Sequence, residues 1–155
     1  MSDPIARLTE LDEQETATQL KRIALLSLMD AVVDALPDAL VVSDLAGTIA
    51  FFNTSAELMF GYHRSSVIGE KVEMLMPDTH RARHVHDREV YGRFATNVRS
   101  KTMGIGMDLT GVHSDGHAFP VDITLARVVT REGVFLLAQL RFAQSAASEA
   151  PDAGN

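Results

Sequence analysis

The chain has 155 residues, 46% of them hydrophobic and 23% charged, a balance that excludes wholesale disorder, collagen-like repeats and disulfide scaffolds and suits one globular domain with an extension. It contains no cysteine, which removes thiol catalysis, iron–sulfur clusters and thiolate zinc from consideration. The net charge of −7 argues for solubility and against a nucleic-acid partner.

The opening segment MSDPIARLTELDEQE is acidic and lacks the basic-then-apolar order of a signal peptide. No apolar run reaches the ~18 residues that would span a bilayer, so a soluble, cytoplasmic protein with no membrane partner is expected. Residues 4–36 read as one helix within an N-terminal unit 1–36, with Ser2 or Asp3 as cap, Pro4 at the first helical position and Pro37 as the stop. Leu20, Ile23, Ala24, Leu28, Val32 and Leu36 fall at helical spacing, and Leu25 and Met29 widen the stripe. That face exceeds what one small domain covers, so Leu20, Ile23, Leu28, Val32 and Leu36 are assigned to a homodimer contact. The alternative is a flank folded back onto its own sheet.

From Asp38 the pattern shifts to period two. Residues 39–43 and 48–53 read as strands joined by the turn Asp44-Leu45-Ala46-Gly47. Residues 55–60 read as a short helix ended at Gly61, and a further helical turn starts at Ser65 or Ser66 and ends near Gly69. An apolar segment 72–76 is closed by Pro77, and residues 79–95 form a helix rich in His and Arg. Three more strands are expected at 102–112, 117–129 and 133–142, the first pair joined by Ser114-Asp115-Gly116, a strong hairpin signal. Residues 143–155 are small and polar and are expected to be disordered. Strands with helices clustered between the second and third make an α+β fold, a five-stranded antiparallel sheet with short helices on one face.

The series Leu36-Pro37-Asp38-Ala39, Asp44, Gly47, Ile49, Asn53, Ala56, Phe60-Gly61-Tyr62, Val67-Ile68-Gly69, Leu75-Met76-Pro77, Asp115-Gly116 and Phe119-Pro120-Val121 resembles a PAS sensor domain over residues 36–142. The resemblance implies a PAS domain at 37–142, a signal-transduction module with no catalytic chemistry of its own. It also implies bacterial two-component or transcription regulation, with a kinase, cyclase or transcription factor as output partner. With a tail too short for an output module, the chain reads as stand-alone or as part of a larger sensor. A ligand cavity would be lined by Val41, Ile49, Phe51, Leu58, Leu75, Phe94, Ile105, Phe119, Ile123 and Leu137. The alternative within this fold is a ligand-free interaction domain whose function is dimerisation.

Within that family, Leu75-Met76-Pro77-Asp78-Thr79-His80-Arg81-Ala82-Arg83-His84 and Met103-Gly104-Ile105-Gly106-Met107 resemble the oxygen-sensing haem kinases. The resemblance implies a haem b cofactor with His84 as axial ligand when counted from Met76-Pro77, or His86 when counted back from Gly104. Met103, Ile105 and Met107 would then line the cofactor cavity. Met107 stands where those kinases place an oxygen-contacting arginine and cannot donate a hydrogen bond. Flavin is disfavoured, since the chain lacks cysteine and tryptophan.

Arg81, Arg83, Arg88, Arg93, Arg99 and Lys101 form one basic island, suited to propionates or phosphate or simply a solvated helix face. His80 and His84 share a helix face but find no evident third metal ligand, and His113 and His117 are expected to be exposed beside their turn, so no metal site is assigned. No Gly-x-Ser-x-Gly elbow, Walker loop or Gly-x-Gly-x-x-Gly occurs, and no catalytic residues and no enzyme activity are expected.

Overall fold

The computed structural model describes residues 4–94, 101–103 and 109–144, with side chains at 5–86 and 109–144. The chain forms two compact units that meet in sequence between Leu36 and Pro37.

The first unit is helix α1 (Pro4–Asp34). Thr9 and Thr18, poor helix formers, donate their hydroxyls to the carbonyls of Ile5 and Gln14 four residues back. The helix ends two residues earlier than expected. Proline disfavours helical backbone at the residue before it, and Leu36 N–H instead donates to Val33 O in a tighter turn, 3.3 Å. Leu20, Ile23, Leu28, Val32 and Leu36 are all exposed, Leu28 at 60%.

The second unit is an antiparallel sheet with helices, as the resemblance implies. Its strands are β1 (Ala39–Asp44), β2 (Ile49–Phe52), β3 (Lys101–Met103), β4 (Thr110–Val112), β5 (Ala118–Thr130) and β6 (Gly133–Phe142), in the order β2-β1-β6-β5-β3, with β4 also on β5. Between β2 and β3 lie α2 (Thr54–Phe60), α3 (Arg64–Val67), a 3₁₀ turn at Val72–Leu75 and α4 (Asp78–Phe94). The β1–β2 turn closes as the sequence predicts: Asp44 Oδ1 accepts from Thr48 N–H at 2.8 Å, and Gly47 takes φ 81°.

The strand expected at 102–112 is two strands. Met103 pairs with Ile123 and Thr110 with Pro120. Six residues therefore separate points that β5 bridges with only Val121 and Asp122. Alternation at Met103, Ile105, Met107 and Leu109 suggests one continuous strand, but the partner strand decides the register. β3 and β4 share the pairing of β5, so six strands make a five-position sheet.

Odd positions of β1 and β5 and even positions of β6 face the core: Ala39, Val41, Phe119, Val121, Leu136 and Leu140 are buried. On β2 the pairing of Val41 with Phe52 turns Phe52 inward, and Phe51 sits opposite Val42 on the other face. The cavity list therefore needs Phe52 in place of Phe51. Leu137, likewise opposite Val42, also leaves it. On α2 the buried residues are Ala56, Met59 and Phe60 at helical spacing, whereas Leu58 is 79% exposed and leaves the list. Phe94 and Ile105 lie outside the described side chains.

Asn53, 0% exposed, organises the junction of strand and helix. Its Oδ1 accepts from Ala56 N–H at 3.0 Å, capping α2, and from Leu40 N–H at 2.8 Å. Its Nδ2 donates to Asp38 O at 3.0 Å. α2 ends at Gly61, φ 73°, the left-handed cap expected of glycine.

Candidate functional site

Cross-strand register defines the inner face of the sheet. One row runs Ala39, Leu140, Ile123, Met103; a second runs Val41, Ala138, Leu125, Lys101; a third runs Ser43, Leu136, Arg127. Near β1 these positions are closed by α2, whose Met59 and Phe60 join Phe52 and Phe119 in one cluster. Phe60 stands 6.1 Å from Phe52 and 5.5 Å from Phe119, both tilted as aromatic pairs prefer. Along β5 and β6, Ile123, Leu125, Arg127 and Ala138 are only half-buried. Among the described residues, Arg127 Nε is enclosed without a hydrogen-bond partner. Arg127 has a signal in the sequence: the inward alternation Phe119, Val121, Ile123, Leu125 is interrupted by a cation at its next position.

The α4 histidines differ in setting. His80 and His86 are exposed, and His84 is half-buried. His84 Nδ1 lies 3.0 Å from Oε1 of Glu73, a buried carboxylate on the 3₁₀ turn. Glu73 is the acid within the apolar 72–76 segment, and an acid at such a position is the signal that finds it. A carboxylate on Nδ1 fixes ring orientation and leaves Nε2 for coordination, the usual second shell of a ligating histidine. The Glu73 contact thus sets the half-buried His84 apart from the exposed His86. Among the described residues, the groups of three or more possible metal ligands do not include His80 or His84. Arg81 pairs with Asp78 at 2.6 Å and donates to Met76 O at 3.3 Å, so this part of the basic island is engaged at the start of its own helix. Met103 holds its register position opposite Ile123, while Ile105, Met107 and Arg99 lie outside the described residues, as do the side chains of Arg88, Arg93 and Lys101.

A cleft of about 290 Å³ lies beside α2 and the ends of β1 and β6, lined by Pro37, Asp38, Leu58, Met59, Leu140 and Phe142. At its rim Arg141 grips Asp38 through two bonds, Nε to Oδ1 and a terminal nitrogen to Oδ2, both 2.7 Å. Gln139 donates to the same carboxylate. The Arg141 hydrogen bonds hold the Asp38 carboxyl below its ordinary range, against the opposing effect of burial.

At the β4–β5 turn, His113 is half-buried rather than exposed as expected, because its ring packs on Gly61. His117 is exposed, and both imidazoles flank Asp115.

The PAS fold family profile matches residues 27–141, and the chain belongs to that family. Over 98 residues, 63% of this chain, it is 34% identical to the Sensor protein FixL of Bradyrhizobium diazoefficiens, covering 19% of that protein. Over 97 residues, 60% of this chain, it is 30% identical to the Oxygen sensor protein DosP of Escherichia coli, covering 11% of that protein. The chain thus spans about a fifth or less of these curated relatives. The crystal structure of the PAS domain of an HTR-like protein from Haloarcula marismortui matches with TM-score 0.63 at 21% identity, covering 77% of this chain and 98% of that one. PAS domains are typically sensory modules rather than catalysts. Among the described residues no helix is long and apolar enough to cross a membrane.

Proposed function

We propose that this chain is a dimeric sensory module that takes a small ligand or partner at the half-packed end of the inner face and passes the signal through α1. The supporting observation is the gradient along that face, from solvent-free packing at Phe52 and Phe60 to half-buried Ile123, Leu125 and Ala138 beside Arg127. A guanidinium at that end suits an anionic ligand group. The output is a kinase, cyclase or transcription factor, reached through the exposed helix. In α1, Leu25, Leu28 and Val32 stand three and four residues apart, the spacing of a two-stranded coiled-coil seam, beside the exposed Leu20 and Ile23 of the same stripe. Sedimentation of the Leu28→Glu, Val32→Glu double variant tests the dimer: it is expected to be monomeric where the parent is dimeric, and a monomeric parent overturns the reading.

A second reading is favoured by the His84–Glu73 contact and by likeness to a protein described as an oxygen sensor. Here the module is a haem-based gas or redox sensor, in which His84 Nε2 would hold the iron and Glu73 would hold the imidazole ring. Haem would supply the gas- or redox-responsive iron; the chain would orient it and exclude water with Ile123, Leu125 and Ala138. Titration with haemin separates the two readings. A sharp Soret band at one equivalent, lost in His84→Ala but kept in His86→Ala, supports the sensor of gas or redox state. Broad, non-stoichiometric uptake overturns it and leaves the metabolite- or partner-sensing module.

A further inference from the structure

The β4–β5 hairpin ends in His113-Ser114-Asp115-Gly116-His117, and its tip gathers three metal-ligating groups. Asp115 Oδ1 lies 3.1 Å from His113 Nδ1 and 2.5 Å from His117 Nδ1. All three donor atoms lie within 4.8 Å of one another. Ligands held at ~2.0–2.2 Å from one ion stand ~3–3.5 Å apart, so a small relaxation of His117 brings the set to coordinating distance.

The tip is held rigidly against the end of α2. Ser114 N–H donates to Phe60 O and its hydroxyl to Gly61 O, each at 2.8 Å. Gly116, φ 94°, turns the chain so that its N–H reaches His113 O at 2.9 Å. A methyl group on Gly61 would come within 2.2 Å of His113 Nε2. The bare α-carbon therefore seats that edge of the ring and leaves Nδ1 facing Asp115. His117 stacks on His113 at 4.6 Å between ring centres, and its own N–H donates to Asp115 Oδ1 at 3.0 Å.

The chemistry at Nδ1 of His113 is the informative part. Unprotonated, it accepts from Asp115 N–H at 3.2 Å, a bond that a metal ion taking the same lone pair would replace, and it stands 3.1 Å from a carboxylate oxygen. Two electron-rich atoms at this separation repel unless a cation lies between them, either a proton on the ring or a metal ion. Among the described residues, the side-chain partners of the Asp115 carboxylate are the two histidines, and no Lys or Arg pairs with it.

We propose that His113, Asp115 and His117 bind one divalent transition-metal ion through Nδ1, Oδ1 and Nδ1. Two imidazoles and one carboxylate select ions such as Zn²⁺, Ni²⁺, Co²⁺ or Cu²⁺ over Mg²⁺ and Ca²⁺, which require oxygen ligands. Three protein ligands leave a further position to water or to a side chain of a partner. The bound ion would tie the hairpin tip more firmly to the end of α2 and stabilise the folded state.

The test is calorimetric titration of the tag-free full chain with Zn²⁺, together with the visible spectrum on adding Co²⁺. One equivalent of Zn²⁺ is expected, with Co²⁺ bands of low coordination number. Asp115→Asn and His117→Ala alter exposed turn positions and so preserve the fold; each is expected to weaken Zn²⁺ binding by about tenfold or more. No uptake by the parent, unchanged affinity in both variants, or loss of binding on His80→Ala instead would overturn the proposal and leave Asp115 as a hydrogen-bond acceptor for protonated histidines.

Discussion

Around β1, β2 and α2, Ala39, Ile49, Phe52, Asn53, Ala56 and Phe60 are sealed from solvent, whereas across the same sheet face Ile123, Leu125, Arg127 and Ala138 on β5 and β6 keep part of their surface accessible. One end is filled by side chains from a helix capped and anchored to the strands by Asn53. The other ends in a cation and pairs with a short β3. The difference separates a scaffold, whose packing leaves no room for alternatives, from a less completely packed surface. The proposed sensing would use both: a rigid frame to carry strain and a contact with two arrangements.

Mutations at the two ends would break or sharpen this contrast. Phe60→Ala removes the hub of the aromatic cluster and is expected to cost about 3–5 kcal/mol in urea denaturation. Leu125→Ala, at the open end, should cost about 1–2 kcal/mol; equal losses would erase the distinction. Asn53→Ala leaves three backbone groups without their partner and uncaps α2, with an expected cost of about 2–4 kcal/mol. Gly61→Ala places a methyl into the His113 ring at a left-handed φ, for about 2–3 kcal/mol. The smallest effect concerns Asp38. Its folded carboxyl is more acidic than the ordinary value of 3.8, so the stabilisation from Arg141 is complete above that value and is lost as pH falls through the lower folded one. Denaturation midpoints followed through the acid range should show this limb in the parent and a weaker one in Asp38→Asn.

The strand and helix series was legible because its signals are local: Asp44 and Gly47 in the first turn, Asn53 before α2, Gly61 after it, and Asp115-Gly116 in the hairpin. The family resemblance rested on those same residues and is matched by the family profile. Side-chain direction was less legible. Phe51 and Phe52 are adjacent and equally apolar, and only the pairing of Val41 with Phe52 chooses between them. Leu58 looks like core on α2, yet the buried stripe is Ala56, Met59 and Phe60. The candidate site was read through its histidines but not through Glu73, eleven residues before His84, because a contact between a 3₁₀ turn and a helix has no fixed spacing in sequence.

By itself, then, the sequence determined the α+β class, the order of elements and the turns, since backbone preferences of glycine, proline and asparagine act within a few residues. It also placed an apolar stripe on α1 by periodicity alone. Only the tertiary structure decided that β3 and β4 are two strands sharing β5, that Phe52 faces inward, and that His84 meets Glu73. Each of these depends on register or on packing between segments far apart in the chain, where a shift of one residue reverses every side chain. The three donors at the β4–β5 tip lie between these limits: their spacing is visible in the sequence, but their convergence depends on the bare α-carbon of Gly61 and the carbonyl of Phe60 about fifty residues away.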